Sequence, residues 1–197
     1  MMKSNSSTYK KLDQKSDLEL FQLITERNKE ALETIFNRYY ESLCRFGNTY
    51  ENDLNIVQEK VSDVFIQLWD NHQRAHEIQK PKPYLYVVVK NKLMEPVSYQ
   101  KLKQSLDQGL EEEYSTSPCI EQEIIDQEQR EMYVRKIQEI LDQIPKKSRQ
   151  IFEMSRLDEL KYKEISEILG VSIKTVESHM AIALKTIRNM VVKNKQF

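Results

Sequence analysis

The stretch KYKEISEILGVSIKTVESHMAIALKTIRNMVV, residues 161–192, indicates the architecture of this chain. Its apolar residues recur at helical spacing on both sides of Gly170, which predicts a short helix, a tight turn and a longer helix. Gly170 follows the last apolar residue of the first helix, where a left-handed backbone favours glycine. Ser172 is the expected N-cap of the second helix. This pattern is typical of a helix-turn-helix, whose second helix enters the major groove of DNA.

The second helix carries a group of polar residues near its N-terminal end, off its apolar stripe. They are Lys174, Thr175, Glu177, Ser178 and His179. Base contacts come from this part of a helix-turn-helix. Two antiparallel helices of an ordinary bundle could also carry such a face. The short first helix and the serine cap directly after the turn favour DNA binding over that alternative.

Composition indicates a helical protein with one or two domains. The chain has 197 residues, of which 3 are Gly, 5 are Pro and 31% are charged, and so few turn residues leave little room for hairpins. There is no apolar run of about 18 residues that would predict a membrane span, and the polar N-terminus does not resemble a secretory signal. Cys44 and Cys119 lack metal-ligand spacing. We interpret Cys44 as a small core residue and expect a reducing cytoplasm.

The net charge of −1 hides a strong segregation of charge along the chain. Residues 80–103 carry 6 Lys and 1 Glu, and residues 130–197 carry 14 Lys and Arg against 9 Asp and Glu, so each segment has a net charge of +5. Residues 104–129 carry 8 Asp and Glu and no Lys or Arg. Phosphate binding requires local positive potential rather than a positive total. Both basic segments are therefore candidates for DNA contact, and the acidic segment is interpreted as a solvated linker.

The whole chain is predicted to be all-α, with two small helical domains joined by the acidic linker. After a disordered tail over 1–15, a four-helix front bundle occupies 16–103, the linker 104–129, and a C-terminal four-helix domain with the helix-turn-helix 130–197. Ser16 has the spacing of a capping box for the first helix. Residues 84–89 have strand propensity, but no partner strand is visible, so a helix is predicted over 84–95.

With these helices placed, the chain resembles the extracytoplasmic-function sigma factors, which are specificity subunits of bacterial RNA polymerase, and in particular those of Bacteroidetes. The resemblance covers about residues 16–97 and 130–192. It rests on DVFIQLW at 63–69, on Tyr-Leu-Tyr at 84–86 followed by Lys90-Asn91, and on the segment from Ile144-Pro145 to Thr175-Val176-Glu177. The chain departs from the family at Pro96, which interrupts the fourth helix, and at Ile182, where a basic residue is common.

The resemblance implies three functional surfaces. The surface that docks on the polymerase would contain Glu59, Ser62, Asp63 and Ile66. Recognition and opening of the minus-10 promoter element need cations along the DNA backbone, and aromatic rings or a pocket for the bases. The surface that contacts this element would contain His72, His76, Lys80, Lys82, Tyr84, Tyr86, Lys90, Asn91 and Lys92. The minus-35 element would be read by Lys161, Lys163, Ser172, Lys174, Thr175, Glu177, Ser178, His179 and Lys185.

The resemblance implies three partners, which are core RNA polymerase, promoter DNA and a membrane-bound anti-sigma factor. It also implies that this protein acts in the cytoplasm. It implies no catalytic residue, metal, cofactor or small-molecule substrate. One alternative is a helix-turn-helix regulator with a sensing N-terminal domain, because SIKTVESHM at 172–180 also resembles the output domains of quorum-sensing and response regulators. Another is a metalloenzyme that uses His72 and His76, which lie four residues apart. The front half lacks a strand-Asp pattern, and no phosphate-cradling Gly loop or carboxylate-rich partner motif is present, so the sigma-factor interpretation is favoured.

Overall fold

A computed structural model describes residues 12–95 and 135–194 of the chain, and these residues form helices and turns without a strand. The prediction of an all-α fold is confirmed. Within the same ranges, no helix combines the length and apolar character needed to cross a bilayer. The predicted linker at 104–129, Cys119 and Pro96 lie outside the described residues.

Seven α-helices with defined bounds organise the described ranges, together with a 3₁₀ helix and a helical segment over 135–142. We number them in chain order: α1 Asp17–Thr25, α2 Lys29–Gly47, α3 Leu54–Asp70, then the 3₁₀ helix His72–Glu77, α4 Pro81–Met94, α5 Lys146–Arg156, α6 Tyr162–Leu169 and α7 Ile173–Asn194.

Side-chain caps explain where the first three helices begin. Ser16 Oγ accepts a hydrogen bond from the Glu19 amide at 3.3 Å, and the Ser16 amide donates to Glu19 Oε2 at 2.8 Å, which completes the predicted capping box. The Ser16 amide, together with the Ser16 hydroxyl that donates to the same Glu19 Oε2 at 2.8 Å, lowers the pKa of the Glu19 carboxyl. Asn28 and Asp53 cap α2 and α3 through their side-chain oxygens. Each cap satisfies an amide that has no partner within its own helix.

The fourth helix forms as predicted, although it begins at Pro81 rather than Tyr84. Pro81 and Pro83 both lie in its first turn, where the missing amide hydrogens cost nothing. Its inner face buries Leu85, Tyr86 and Val89, so helix packing outweighs the strand propensity of this segment. The predicted loop over 71–82 contains the 3₁₀ helix, which continues the chain between α3 and α4.

The chain divides into two compact units: Met1–Glu95 with Gln150–His179, and Pro96–Arg149 with Met180–Phe197. In the first unit, one continuous apolar core includes residues of α2, α3 and α4 and also Met154, Ile165 and Ile168. Leu12, at the end of the predicted tail, also packs in this core. The predicted domain boundaries at 103/104 and 129/130 fall outside the described residues and stay predictions.

Leu157 is 55% exposed, because α5 ends at Arg156 and the following turn directs Asp158 and Leu160 inward instead. Cys44 is a half-buried free thiol whose pKa is raised by burial, which fits its interpretation as a packing residue.

Candidate nucleic-acid interface

The turn between α6 and α7 has the predicted geometry. Gly170 adopts a left-handed conformation with φ 70° and ψ 36°, and its amide donates to the Ser166 carbonyl at 2.9 Å. Ser172 Oγ then accepts a hydrogen bond from the Thr175 amide at 3.0 Å, as expected of an N-cap. The glycine and the serine together end one helix and begin the next within three residues.

The N-terminal part of α7 presents polar side chains to solvent. Val176 is fully buried and fixes the rotation of the helix, which leaves Ser172, Lys174, Glu177 and Ser178 exposed on the other face. Thr175 and His179 are half-buried at the edges of this face. We call Lys174, Thr175, Glu177, Ser178 and His179 the reading face. Its cation, carboxylate and hydroxyl groups are of the kinds that donate to and accept from base edges in a major groove.

Exposed lysines lie at the start of α6 and along α7. Lys161 and Lys163 stand at the start of α6, where the Lys161 amide donates to Glu164 Oε2 at 2.8 Å. Lys185 is exposed further along α7. In a helix-turn-helix the first helix crosses the DNA backbone, so cations at its start are positioned for phosphates.

The residues predicted to contact the minus-10 element are distributed around α4 and the 3₁₀ helix with very different exposure. His76, Lys80, Tyr84 and Asn91 are exposed. The ammonium group of Lys82 lies over the Tyr39 ring, 5.9 Å from its centroid, which is within the range of a cation–π interaction. An open groove of about 820 Å³ adjoins Tyr84 and is lined by Asn71, Arg74, Ile78, Lys80, Val87 and Ile168, among others.

His72 is buried and both of its ring nitrogens have partners. Arg27 Nε donates to Nε2 at 3.1 Å, so the proton of the neutral ring lies on Nδ1, which is 3.1 Å from the Trp69 carbonyl oxygen. No ring nitrogen is left for a metal, which removes the first ligand of the alternative His72–His76 pair. Among the described residues, no group of three His, Cys, Asp or Glu side chains is arranged to hold a metal ion.

Tyr86 is also buried, with its ring edge-on to Phe46 at a centroid distance of 5.0 Å. Burial raises the pKa of its phenol, and the nearby Asp158 carboxylate adds to the rise. DNA contact by His72 and Tyr86 stays a prediction, and the burial of both rings favours a structural role.

Three of the lysines predicted to bind DNA have partners within the protein. Lys90 Nζ donates to the Ile168 carbonyl at 2.9 Å, Lys92 Nζ pairs with Asp63 Oδ2 at 3.0 Å, and Lys80 Nζ lies 3.4 Å from Glu167 Oε2. These contacts cannot be predicted from local patterns, because the partners lie 78, 29 and 87 residues apart in the sequence. Charge alone predicts where cations lie along the chain but not which acceptors they meet.

The predicted polymerase-docking residues lie on the outer side of α3. The helix buries Val57, Val61 and Val64 along its inner stripe, whereas Glu59 is exposed and Ile66 is 57% exposed. Ser62 and Asp63 are half-buried. Polymerase docking by these four residues stays a prediction.

Comparison with known proteins identifies the helix-turn-helix region. Residues 134–187 match the family described as Sigma-70, region 4. No curated protein matches the sequence. Among solved structures, the chain is similar to the structure of CnrH in complex with the cytosolic domain of CnrY, with a TM-score of 0.54, 14% sequence identity, and coverage of 91% of this chain and 99% of that chain. At this identity the structural match demonstrates a shared fold.

The family match covers the segment that contains the glycine turn, the serine cap and the reading face. The fold match extends over most of the chain, including the front helices that the resemblance assigned to polymerase docking. The two comparisons together show a segment similar to sigma-70 region 4 and a fold shared with CnrH over most of the chain.

Proposed function

We propose that this chain binds core RNA polymerase and directs promoter-specific initiation of transcription. The observation that carries the proposal is the reading face of α7, which is held outward by buried Val176 in a segment that matches sigma-70 region 4. In this proposal the protein supplies DNA recognition and polymerase contact, and the polymerase supplies the chemistry.

The reading face of α7 is proposed to recognise the minus-35 element. Lys174 and Glu177 carry the groups best suited to discriminate bases, since a lysine favours guanine acceptors and a glutamate favours the cytosine amino group. Lys161, Lys163 and Lys185 would contact phosphates, which position the helix without reading sequence.

The exposed part of α4 and the 3₁₀ helix are proposed to contact the opened minus-10 strand. Tyr84 stands beside a groove whose apolar walls include Ile78 and Val87, and a displaced base needs such a ring and pocket. Lys80, His76 and Asn91 are exposed near these elements and supply polar groups for the backbone and base edges.

Ile66 is proposed as the centre of the polymerase contact on α3. Asp63 is a less suitable position for a test, because its carboxylate pairs with Lys92 Nζ at 3.0 Å and a positive substitution there would also disturb α4. Ile66 is exposed, so replacing it removes apolar contact area from the outer surface and leaves the core of the first unit intact.

A cytoplasmic anti-sigma segment is the further proposed partner. The resemblance implies a membrane-bound anti-sigma factor, and the CnrH structure contains the cytosolic domain of CnrY. A sigma factor acts where polymerase and promoter DNA are, so we place this protein in the cytoplasm. The half-buried free thiol of Cys44 is compatible with that reducing compartment.

The test is transcription in vitro by purified core RNA polymerase, with this chain and a promoter library. We expect transcripts from a subset of promoters, and we expect Ile66→Lys to abolish them together with co-purification of the polymerase. Leu54→Lys is the matched control, since Leu54 lies on the same helix and is 56% exposed, against 57% for Ile66. Promoter binding by the chain without any binding to core polymerase would establish the alternative, a conventional helix-turn-helix regulator.

A further inference from the structure

We propose that Arg27 is a positioning residue for promoter opening, which acts through His72 and holds the 3₁₀ helix in place only while the imidazole of His72 is neutral. The inference rests on the proposed function, because the 3₁₀ helix forms part of the surface proposed for the opened minus-10 strand. Arg27 lies outside all three surfaces predicted from the sequence. Arg27 and the 3₁₀ helix both belong to the first compact unit.

The backbone of Arg27 has an unusual conformation for a residue that carries a side chain. Its φ is 60°, and among the described residues only Arg27 and Glu159 combine a positive φ with a residue other than glycine. The next amide, of Asn28, donates to the Leu23 carbonyl at 3.0 Å, so the left-handed residue ends α1. Glycine adopts this conformation more readily than arginine. The side chain is therefore what distinguishes Arg27 from the residue that the turn favours.

The side chain of Arg27 reaches the ring of His72, which follows 45 residues later in the sequence. Arg27 Nε donates to His72 Nε2 at 3.1 Å, and His72 Nδ1 lies 3.1 Å from the Trp69 carbonyl oxygen. A protonated ring carries a hydrogen on both nitrogens. It would then direct a second N–H, and a positive charge, at the Arg27 guanidinium. The bond between these two side chains therefore requires the neutral ring.

The surroundings of the ring offer nothing to offset this repulsion. In the ranges that the structure describes, no carboxylate hydrogen-bonds to a ring nitrogen of His72, and its other contacts are the carbonyl and the ring of Trp69, whose centroid is 6.2 Å away. The charged side chains of the elements that meet at the ring are exposed, and water screens them. They are Glu26, Lys29 and Glu30 around the turn between α1 and α2, Asp70 at the end of α3, and Arg74, His76 and Glu77 on the 3₁₀ helix.

The 3₁₀ helix depends on His72 for much of its attachment. His72 and Ala75 are its buried residues, and its N-cap, Asn71, makes no side-chain cap hydrogen bond. The same segment lines the groove beside Tyr84, where a displaced base is proposed to bind. Loss of the bond between Arg27 and His72 would release this wall of the groove. Histidine changes its charge in the physiological pH range, so promoter opening should decrease as the pH falls through that range.

A glycine substitution at position 27 tests this proposal. Arg27→Gly removes the side chain and suits the left-handed backbone. Glu159→Gly is the matched control, because Glu159 is also exposed and has φ 51°, whereas His72→Gln supplies a side chain that does not titrate. Each full-length protein is combined with core RNA polymerase and a promoter that the wild type transcribes. The permanganate reactivity of unpaired thymines then measures opening at about pH 8 and about pH 6.

We expect acidification to reduce opening by the wild type and by Glu159→Gly about two- to tenfold more than opening by Arg27→Gly and His72→Gln, which is the factor that one hydrogen bond corresponds to. In urea, the free energy of unfolding of the wild type should also fall more between the two pH values than that of Arg27→Gly or His72→Gln. Co-purification with core polymerase through α3 should be the same for all four proteins.

Equal pH dependence of opening in the wild type and Arg27→Gly would overturn the proposal. So would a wild type whose unfolding depends on pH no more than that of His72→Gln. A bond that affects unfolding but not opening would be structural only, and the positioning role would be wrong. If no protein opens any promoter at either pH, the proposed function fails and the role in opening fails with it, and the unfolding data then decide whether the bond itself responds to pH.

Discussion

Substitution of Gly170 measures the free-energy cost of the left-handed backbone conformation in the turn of the helix-turn-helix. It has φ 70°, and a Cβ built on it would meet no heavy atom within 4 Å. Alanine at this position therefore has no steric clash, and its cost is the left-handed conformation alone, about 1–2 kcal/mol. Alanine also lowers the conformational entropy of the unfolded chain, which stabilises the folded state by about 0.4–1 kcal/mol. The difference predicts that Gly170→Ala lowers the free energy of unfolding by about 1 kcal/mol.

Urea unfolding of the full chain measures this quantity, and Gly170→Asn is the matched variant. Asparagine tolerates the left-handed region better than alanine, so we expect Gly170→Asn to be more stable than Gly170→Ala. The slope of the free energy of unfolding against urea concentration should be the same for the wild type and both variants if only the folded conformation is strained. An alanine variant as stable as the wild type, or an asparagine variant less stable than alanine, would refute the assignment of the cost to the backbone.

Three other predictions separate structural from functional positions. Gly47→Ala places a Cβ 2.7 Å from Val57 Cγ1, so the free energy of unfolding, measured by thermal unfolding, should fall by about 1–3 kcal/mol. Unchanged stability would mean that α2 and α3 can move apart freely. Glu177→Ala should reduce the discrimination between minus-35 bases by about 1–3 kcal/mol. Lys185→Ala should weaken binding to all promoters of the library by the same factor. The opposite pattern would mean that Lys185 reads bases and Glu177 does not. His72→Ala should lower the free energy of unfolding in urea by about 1–3 kcal/mol, because removal of the buried ring leaves a cavity and ends its hydrogen bond with Arg27; normal stability with impaired promoter opening would restore the ring as a DNA contact.

Local signals in the sequence are sufficient to predict the helices. The capping box at Ser16, the glycine turn at Gly170 and the serine cap at Ser172 each depend on groups within four residues, and each is present in the structure. The inner stripe of α3, from Val57 to Leu68, likewise follows from periodicity alone. These features are readable because the physical interaction that produces them spans one helical turn.

Long-range contacts cannot be predicted in the same way. Tyr86 is a candidate DNA contact by sequence because tyrosine provides a ring, yet the ring packs against Phe46, which is on a different helix. Arg45 and Asp158 are 113 residues apart, and nothing near either residue indicates their ion pair. Periodicity tells which face of a helix is apolar, but the neighbour that covers a polar face depends on how distant helices meet.

The protein partners of Lys80, Lys90 and Lys92 lower the free energy that these lysines can contribute to DNA binding. Lys80 and Lys92 pair with Glu167 and Asp63, and Lys90 binds a main-chain carbonyl. Binding of DNA to any of the three must exchange an existing partner for a phosphate, so each lysine gains less free energy than a solvated cation would. Counterion release also falls when part of the lysine charge is already neutralised by a carboxylate. The basic character of residues 80–103 thus overstates the affinity of α4 for DNA, and the contribution that remains depends on how far Glu167 and Asp63 move away from their lysines.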